Sequence, residues 1–463
     1  MFNISELKAV FKKAEFINER PDIKITSVEH DTRRIKPKSL YIAIQGDNLD
    51  GHDFVVEAMN KGAVACICER KIDNAALTQI IVKDSVKAYG ELARFWRDRM
   101  KCPVLGLTGS NGKTTTKDLI YTILSKKFKT ARTQGNFNNL IGVPYTILGF
   151  PLNAECAIVE MGMNAMGEIA ALSKIADPDV ALITNIGRAH IGRLGSMDAV
   201  ISAKTELFDY VLKKGGSFCL NVDDEKVNTW VDSNKPKKSI TYCYANSDEK
   251  ECSAQVCVKA ISSTGKSQKF KVYCSKTGEE VAGNIKIIGS HNLNNVVAAI
   301  AVGVFFGMDV KSCVKALKDF VPPAMRSNVV KKEGVTYIVD CYNANPDSMI
   351  AAIRSMEMAK EASRKIAVVG DMLELDGMEN ELHKEVGLEL AQNKFDLVFA
   401  IGKYSPNYRE GFESFKGDKG KLFAYSSDQM QKLRKDLFPS LKRGDYVLIK
   451  ASRGSKLEAV FDK

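Results

Sequence analysis

Val104-Leu-Gly-Leu-Thr-Gly-Ser-Asn-Gly-Lys-Thr-Thr-Thr116 is the stretch on which the fold turns. A short, continuous apolar run leads into a glycine-rich turn. A helical pattern follows, with Leu119, Ile120, Ile123 and Leu124 on one side. Strand, glycine turn and helix in that order make a phosphate cradle, because backbone N–H groups and the helix dipole converge at the helix N-terminus. Gly109, Ser110, Asn111 and Gly112 form the turn, with Thr115 just inside the helix. Lys113 is placed to reach β- and γ-phosphates, and the Thr114 hydroxyl to coordinate Mg²⁺. The standard pattern has glycine where Leu107 stands, with Gly106 one step away, so this is a shortened variant of the loop. ATP is the expected ligand.

Working outward, further buried-strand runs follow at Ala157 to Met161, Val180 to Asn185 and Ser217 to Val222. Such runs, separated by long helical or loop stretches, predict a P-loop-type, mostly parallel sheet with helices on both faces. Before it, residues 1–98 alternate short strands (Leu40 to Ile44, Val64 to Cys68, Gln79 to Val82) with helices, a small α/β unit. After Pro322-Pro323, strands return at Val335 to Asp340, Lys365 to Gly370, Leu397 to Gly402 and Tyr446 to Lys450. Helices near Ser348 to Lys360 and Glu379 to Gln392 lie between them, predicting a C-terminal Rossmann-like α/β domain. Three α/β domains, 1–98, 99–323 and 324–463, are expected. The polar alternation from Asp223 to Lys286 predicts a small antiparallel addition rather than more parallel sheet, and MFNISELKAVFKKAEF reads as an amphipathic helix.

Composition narrows the chemistry. The 463 residues carry 67 Lys+Arg and 56 Asp+Glu, a net charge of +11 spread along the chain with no arginine-rich tail, which points to anionic small molecules rather than nucleic acid. A nucleic-acid motor would need an arginine finger, a strand-separating element or a basic groove, and none is legible. Eleven cysteines without a Cys-x-x-Cys pair, the closest being Cys66 with Cys68 and Cys252 with Cys257, argue for reduced, mostly buried thiols. Five histidines, none sharing a helix face, leave oxygen as the expected metal donor. No apolar run approaches the ~18 residues of a membrane span, so a cytoplasmic, non-membrane protein is expected.

Several further residues have two readings. Glu160 leaves the carboxyl end of a strand, as a metal ligand beside the phosphates or as an ordinary strand-end acid. His190, alone, is as readily structural as ligating. Lys204 reads as part of a solvated helix face. The amides of Asn136, Asn138 and Asn139 suit either a polar ligand or a turn. At the start of the apolar helix, Ser290 or Asn292 serves as a cap, or Asn292 and Asn295 read an adenine edge.

Taken together, the phosphate loop, the Glu160 strand, Asn185 with His190, Ala-Lys204 and His291-Asn292-x-x-Asn295 resemble, in order, the motifs of the Mur ligase family of ATP-dependent amide ligases. Asp340-Cys-Tyr-Asn-Ala-Asn-Pro346 resembles the branch that joins D-alanyl-D-alanine to UDP-N-acetylmuramoyl-tripeptide in peptidoglycan precursor synthesis. Gly370-Asp-Met-Leu-Glu-Leu375, Lys450-Ala-Ser-Arg-Gly454, Asp31-Thr-Arg33 and Gly51-His-Asp-Phe54 look like further marks of it, and Val339 departs from a frequent second aspartate. The resemblance implies a first domain holding the UDP precursor, with Thr32 and Arg33, and a central domain holding ATP and Mg²⁺. It implies a third domain that closes over nucleotide and dipeptide, bringing Arg326 and Asp340 to the former and Asn343 and Asn345 to substrate. It further implies precursor contacts from Asn136, Asn138 and Asn139, and nucleotide contacts from Asn292 and Asn295. Lys113, His190 and Lys204 are the implied catalytic set; Thr114, Glu160, His190 and a carbamylated Lys204 are the implied metal ligands. A monomer is expected.

Overall fold

The computed structural model describes residues 1–245, 254–264, 267–358, 361–417 and 419–461. Cys252, Lys360 and the middle of the Asp223–Lys286 segment lie outside the described residues. The chain divides into two compact units, Met1–Gly106 with Lys129–Met163 and Gly167–Asp179, and Leu107–Phe128 with Asn164–Met166 and Val180–Lys463.

In the first unit a five-stranded sheet runs Glu15–Ile17, Thr78–Ile81, Ala63–Cys68, Ser39–Ile42, Ser27–Glu29, antiparallel at the first pair and parallel elsewhere. Its strands are short and buried, with Tyr41, Ala43, Cys66 and Leu77 packed against Val55 and Ala58. Helix Ser85–Arg99 starts where the Asp84 carboxylate accepts the Lys87 N–H, an N-cap that satisfies an otherwise orphaned donor. Strand Cys156–Glu160 pairs in parallel with Thr130–Arg132, and both belong to the sheet that includes Val104–Thr108. The amphipathic N-terminus is helical only over Ile4–Val10, after an Asn3–Glu6 capping box. It ends at Phe11, and the following residues pair as strand Glu15–Ile17 instead.

In the second unit the end of strand Val104–Thr108 opens into helix Lys113–Leu124. Strands Val180–Ile183, Ser217–Asn221, Ser239–Ala245 and Val256–Ser263 follow side by side in parallel, then Gln268–Cys274 and Glu279–Ile285 in antiparallel. The expectation of a purely antiparallel addition is therefore corrected. Ser239–Ala245 and Val256–Ser263 extend the parallel sheet, because their inner residues (Tyr242, Cys243, Val256, Val258) are buried on both faces. Only the last two strands turn antiparallel, where Gln268–Cys274 alternates buried and exposed residues at the half-solvated edge. Helix Ser290–Phe305 is buried almost all round, Leu293, Val296, Val297 and Ile300 being wholly covered, each contributing about 1.5–3 kcal/mol. Its cap is Gly289 in a left-handed conformation, with no side-chain cap from Ser290 or Asn292.

A second sheet in this unit runs Asn328–Lys332, Val335–Asp340, Asp445–Lys450, Arg364–Val369, Leu397–Ile401, Lys421–Tyr425. It is parallel except at the first pair and has an apolar core on each face. The three-domain α/β architecture follows, each sheet drawn from its own stretch of chain. Among the described residues, no helix is long and apolar enough to cross a membrane, and eight cysteines are buried and free.

Candidate active site

The phosphate turn is shaped by two glycines. Gly109 (φ 151°) lies so close to Thr184 that a Cβ would stand 1.9 Å from its Oγ1, and Gly112 (φ 79°) would place one 2.3 Å from Asn295 Oδ1. Neither position admits a side chain. The turn is held from outside. Asn185 accepts the Asn111 N–H at 3.0 Å and donates to the Asn111 carbonyl at 3.0 Å, while Thr184 Oγ1 donates to that carbonyl at 2.6 Å. Ser110 Oγ exchanges hydrogen bonds with the Gly187 backbone at 2.8 and 2.9 Å. Lys113 curls back, Nζ donating to the Gly109 carbonyl at 2.7 Å, and Thr114 is buried in the first turn.

Asn292 and Asn295 brace this turn from helix Ser290–Phe305. Asn292 donates to the Ile288 carbonyl at 2.7 Å and accepts from Asn295 at 3.0 Å, and Asn295 accepts from Thr116 Oγ1 at 3.1 Å. His291 next to them is pushed down to about 4 by burial.

Lys204, on helix Met197–Lys214, overturns the solvated-face reading: it is 1% exposed. Burial, with the Lys113 charge nearby, drives its amine well below the ordinary lysine range. The chain therefore buries an amine beside the phosphate-loop lysine. His190, in left-handed conformation (φ 62°) ahead of helix Ile191–Leu194, brings Nδ1 within 3.0 Å of the Glu374 carboxylate. Glu374 is held below the usual carboxylate range by His190 first, against burial, with Arg193 and Lys113 adding to the effect.

The C-terminal sheet brings its own groups to this region. Asn345 caps helix Pro346–Ser355 through the Ser348 N–H and donates to Asn111 Oδ1 at 2.8 Å, so the Asn-Ala-Asn segment meets the phosphate turn directly. Asn343 is exposed, its Oδ1 accepting only the Ala344 N–H among the described contacts. Arg188 holds Asp347 at 2.7 Å and Glu385 at 2.7 and 2.9 Å. Lys450 donates to Asp340 at 2.6 Å and to the Asn343 carbonyl at 3.0 Å. Burial opposes the Asp340 charge, yet Lys450, His291 and Arg326 outweigh it and hold the carboxyl below its ordinary value. The Arg326 guanidinium carbon lies over the Tyr342 ring, 3.8 Å from its centroid.

In the first unit, Glu160 ends its strand 1% exposed, accepting from Asn138 Nδ2 at 2.8 Å while its N–H donates to Thr133 Oγ1 at 3.0 Å. Asn139 Oδ1 accepts the Gly142 N–H at 2.8 Å and Asn136 is exposed. Thr32 and Arg33 begin a short 3₁₀ turn capped by Asp31, whose carboxyl the exposed Arg33 pulls down to about 2.

Arg188, Asp347, Glu385 and Glu374 were not singled out by sequence reading. Glu374 carries a signal inside the Gly370–Leu375 motif, and Arg188 one inside the Thr184–His190 stretch, whereas Asp347 and Glu385 carry none.

Comparison with known proteins places this geometry. The family models described as Mur ligase family, catalytic domain, Mur ligase middle domain, and Mur ligase, glutamate ligase domain match residues 24–97, 107–303 and 325–453. The UDP-N-acetylmuramoyl-tripeptide–D-alanyl-D-alanine ligase of Bacillus subtilis (strain 168) is 36% identical over 440 residues, 94% of this chain and 92% of that protein. The chain belongs to the Mur ligase family. It is an ATP-dependent ligase that forms a carbon–nitrogen bond. Two solved Mur ligases bear out the three-domain fold. The chain superposes on MurF from Acinetobacter baumannii with a TM-score of 0.89 at 28% identity, covering 99% of this chain and 97% of that one. With MurF ligase from Thermotoga maritima in complex with ADP the TM-score is 0.83 at 29% identity, over 96% and 98%.

Proposed function

We propose that this Mur ligase joins D-alanyl-D-alanine to UDP-N-acetylmuramoyl-tripeptide, forming the pentapeptide precursor of peptidoglycan, ADP and phosphate. The end-to-end similarity to the Bacillus subtilis ligase of that name carries the reading. The tripeptide carboxylate attacks the γ-phosphorus of ATP and ADP leaves, giving an acyl phosphate. The dipeptide amine then attacks the acyl carbon, and the tetrahedral adduct expels phosphate to leave the amide. A carboxylate approaching a triphosphate meets like charge, so catalysis rests on positioning and cations. Gly109, Ser110, Asn111, Gly112, Lys113, Thr114 and Thr115 cradle the phosphates, Lys113 leaving the Gly109 carbonyl for the γ-phosphate. Asn292, Asn295, Arg326 and Asp340 face the nucleotide. Thr32 and Arg33, with Asn136, Asn138 and Asn139, take the UDP precursor, and Asn343 and Asn345 the dipeptide side. Residues 1–98, 99–323 and 324–463 act as the three domains, working as a cytoplasmic monomer.

Mg²⁺ fits the donor set. Thr114, Glu160, His190 and a carbamylated Lys204 would be its ligands. Among the described residues no cluster of three or more His, Cys, Asp or Glu exists. When bound, Mg²⁺ would supply positive charge to offset the like charge of carboxylate and triphosphate. Burial makes the Lys204 ammonium easier to deprotonate, and the free amine can add CO₂ and lose a proton, becoming a carbamate anion with two oxygen donors. The test is phosphate release: it should require ATP, UDP-N-acetylmuramoyl-tripeptide and D-alanyl-D-alanine together, run with lysine and diaminopimelate stem peptides. Robust turnover with D-glutamate or a folate instead would sink the assignment.

A further inference from the structure

The loop that follows strand Arg364–Val369 is pinned at almost every residue. Asp371 accepts the Lys403 and Tyr404 N–H groups at 2.9 and 3.1 Å. The Met372 N–H donates to Nε2 of buried His383 at 3.0 Å, and that of Leu373 to Ser452 Oγ at 2.9 Å. His383 Nδ1 lies 2.6 Å from the Glu379 carbonyl, which fixes the ring as donor there and acceptor toward the loop. Two non-glycine residues in the loop, Glu374 (φ 69°) and Asp376 (φ 35°), take left-handed backbone, a conformation that persists only where the surroundings impose it. The loop's Leu375 carbonyl presses on Gly192 so closely that a Cβ there would stand 2.2 Å away. All of this brings one carboxylate to within 3.0 Å of the buried His190 Nδ1, which makes no hydrogen bond of its own among the described residues, with Arg193 at 3.6 Å from the other carboxylate oxygen.

We infer that Glu374 is a positioning residue for the ligation: standing 3.0 Å from His190 Nδ1, it accepts the Nδ1–H once the site is loaded and so fixes the tautomer in which Nε2 carries the lone pair for the second Mg²⁺. The physical reason is general. A ligating histidine whose other nitrogen is tied to a carboxylate is oriented and made more basic, and losing that partner costs about 10–100-fold in metal affinity or activity. Because Glu374 comes from the C-terminal sheet and His190 from the phosphate-loop sheet, the second ion is held well only when both segments are in contact. This rests on the reading of His190 as a ligand.

The test is Mn²⁺ binding to the full-length enzyme with a non-hydrolysable ATP analogue and the UDP precursor, followed by electron paramagnetic resonance, for Glu374→Ala, Glu374→Gln and His190→Ala. Glu374→Ala should weaken the second ion about 10–100-fold and lower kcat similarly, leaving the first ion and the KM for ATP unchanged. Glu374→Gln, which keeps an oxygen acceptor, should recover most of both. A second-ion affinity unchanged in Glu374→Ala but lost in His190→Ala overturns this inference alone. If His190→Ala also leaves it unchanged, the ligand reading falls with it. Equal losses in Glu374→Ala and Glu374→Gln would overturn the hydrogen-bond role. Unchanged first-ion binding certifies that each variant is folded.

Discussion

Lys204 shows how much a single side chain can hide. Its surroundings in sequence look like any solvated helix face, and nothing local announces that helix Met197–Lys214 turns it into the interior next to Lys113. Replacing it with alanine should remove most ligase activity, with partial recovery on adding a short carboxylic acid that supplies the missing oxygens; full turnover of the variant without additive would refute the carbamate. Lys450 and Asp340 make the opposite case, since their motifs were visible but their mutual pairing was not. Lys450 is 2% exposed, so Asp340→Asn leaves a buried ammonium without its counter-charge and should cost about 3–5 kcal/mol in urea unfolding. The double variant Asp340→Asn, Lys450→Met should recover most of that loss. The pH dependence follows from sign. The folded-state value of Asp340 lies below its ordinary 3.8, so its stabilisation is complete above about pH 4 and disappears as pH falls through the lower folded value. Acid unfolding should therefore be less steep in the double variant, as circular dichroism would record.

Elements were legible where burial dictates their composition. Val104–Thr108, Val335–Asp340 and Glu379–Gln392 lie where the pattern predicts, because central strands and amphipathic helices must be apolar in a fixed rhythm. Strands Asn328–Lys332 and Lys421–Tyr425 went unread. Both are sheet edges only partly buried, Asn328–Lys332 ending in two exposed lysines and Lys421–Tyr425 opening on one, and an edge that is not buried on both faces loses the continuous apolar signal of a central strand. Helices Ser405–Ser414 and Met430–Ser440 were missed as well, each interrupted or opened by proline. The phosphate turn was readable as a turn but its rigidity was not, since Thr184 and Asn295 lie far off in sequence. Gly112→Ala combines left-handed strain of about 1–3 kcal/mol with a clash against Asn295, and should weaken ATP binding by roughly tenfold or more in calorimetry. Gly109→Ala should be at least as damaging, its Cβ meeting Thr184.

Across the larger unit, contacts joining distant segments are what the sequence withheld. Arg188 with Asp347 and Glu385 links residues 159 and 197 positions apart, and no local pattern encodes such a match. These charges are partly solvated, so Arg188→Ala should cost only about 1–2 kcal/mol at low salt and less at high salt. It should also speed hydrogen exchange in helix Pro346–Ser355, whose first turn holds Asp347, while exchange in the core strand Asp445–Lys450 stays slow. The Thr116–Asn295 bond spans 179 residues, and that distance matters during translation. At ~5–20 residues per second, a ribosome takes roughly 10–40 s to travel from the glycine turn to its brace. For that interval the nascent chain carries the turn without its support, and the turn reaches its final shape only after helix Ser290–Phe305 has emerged.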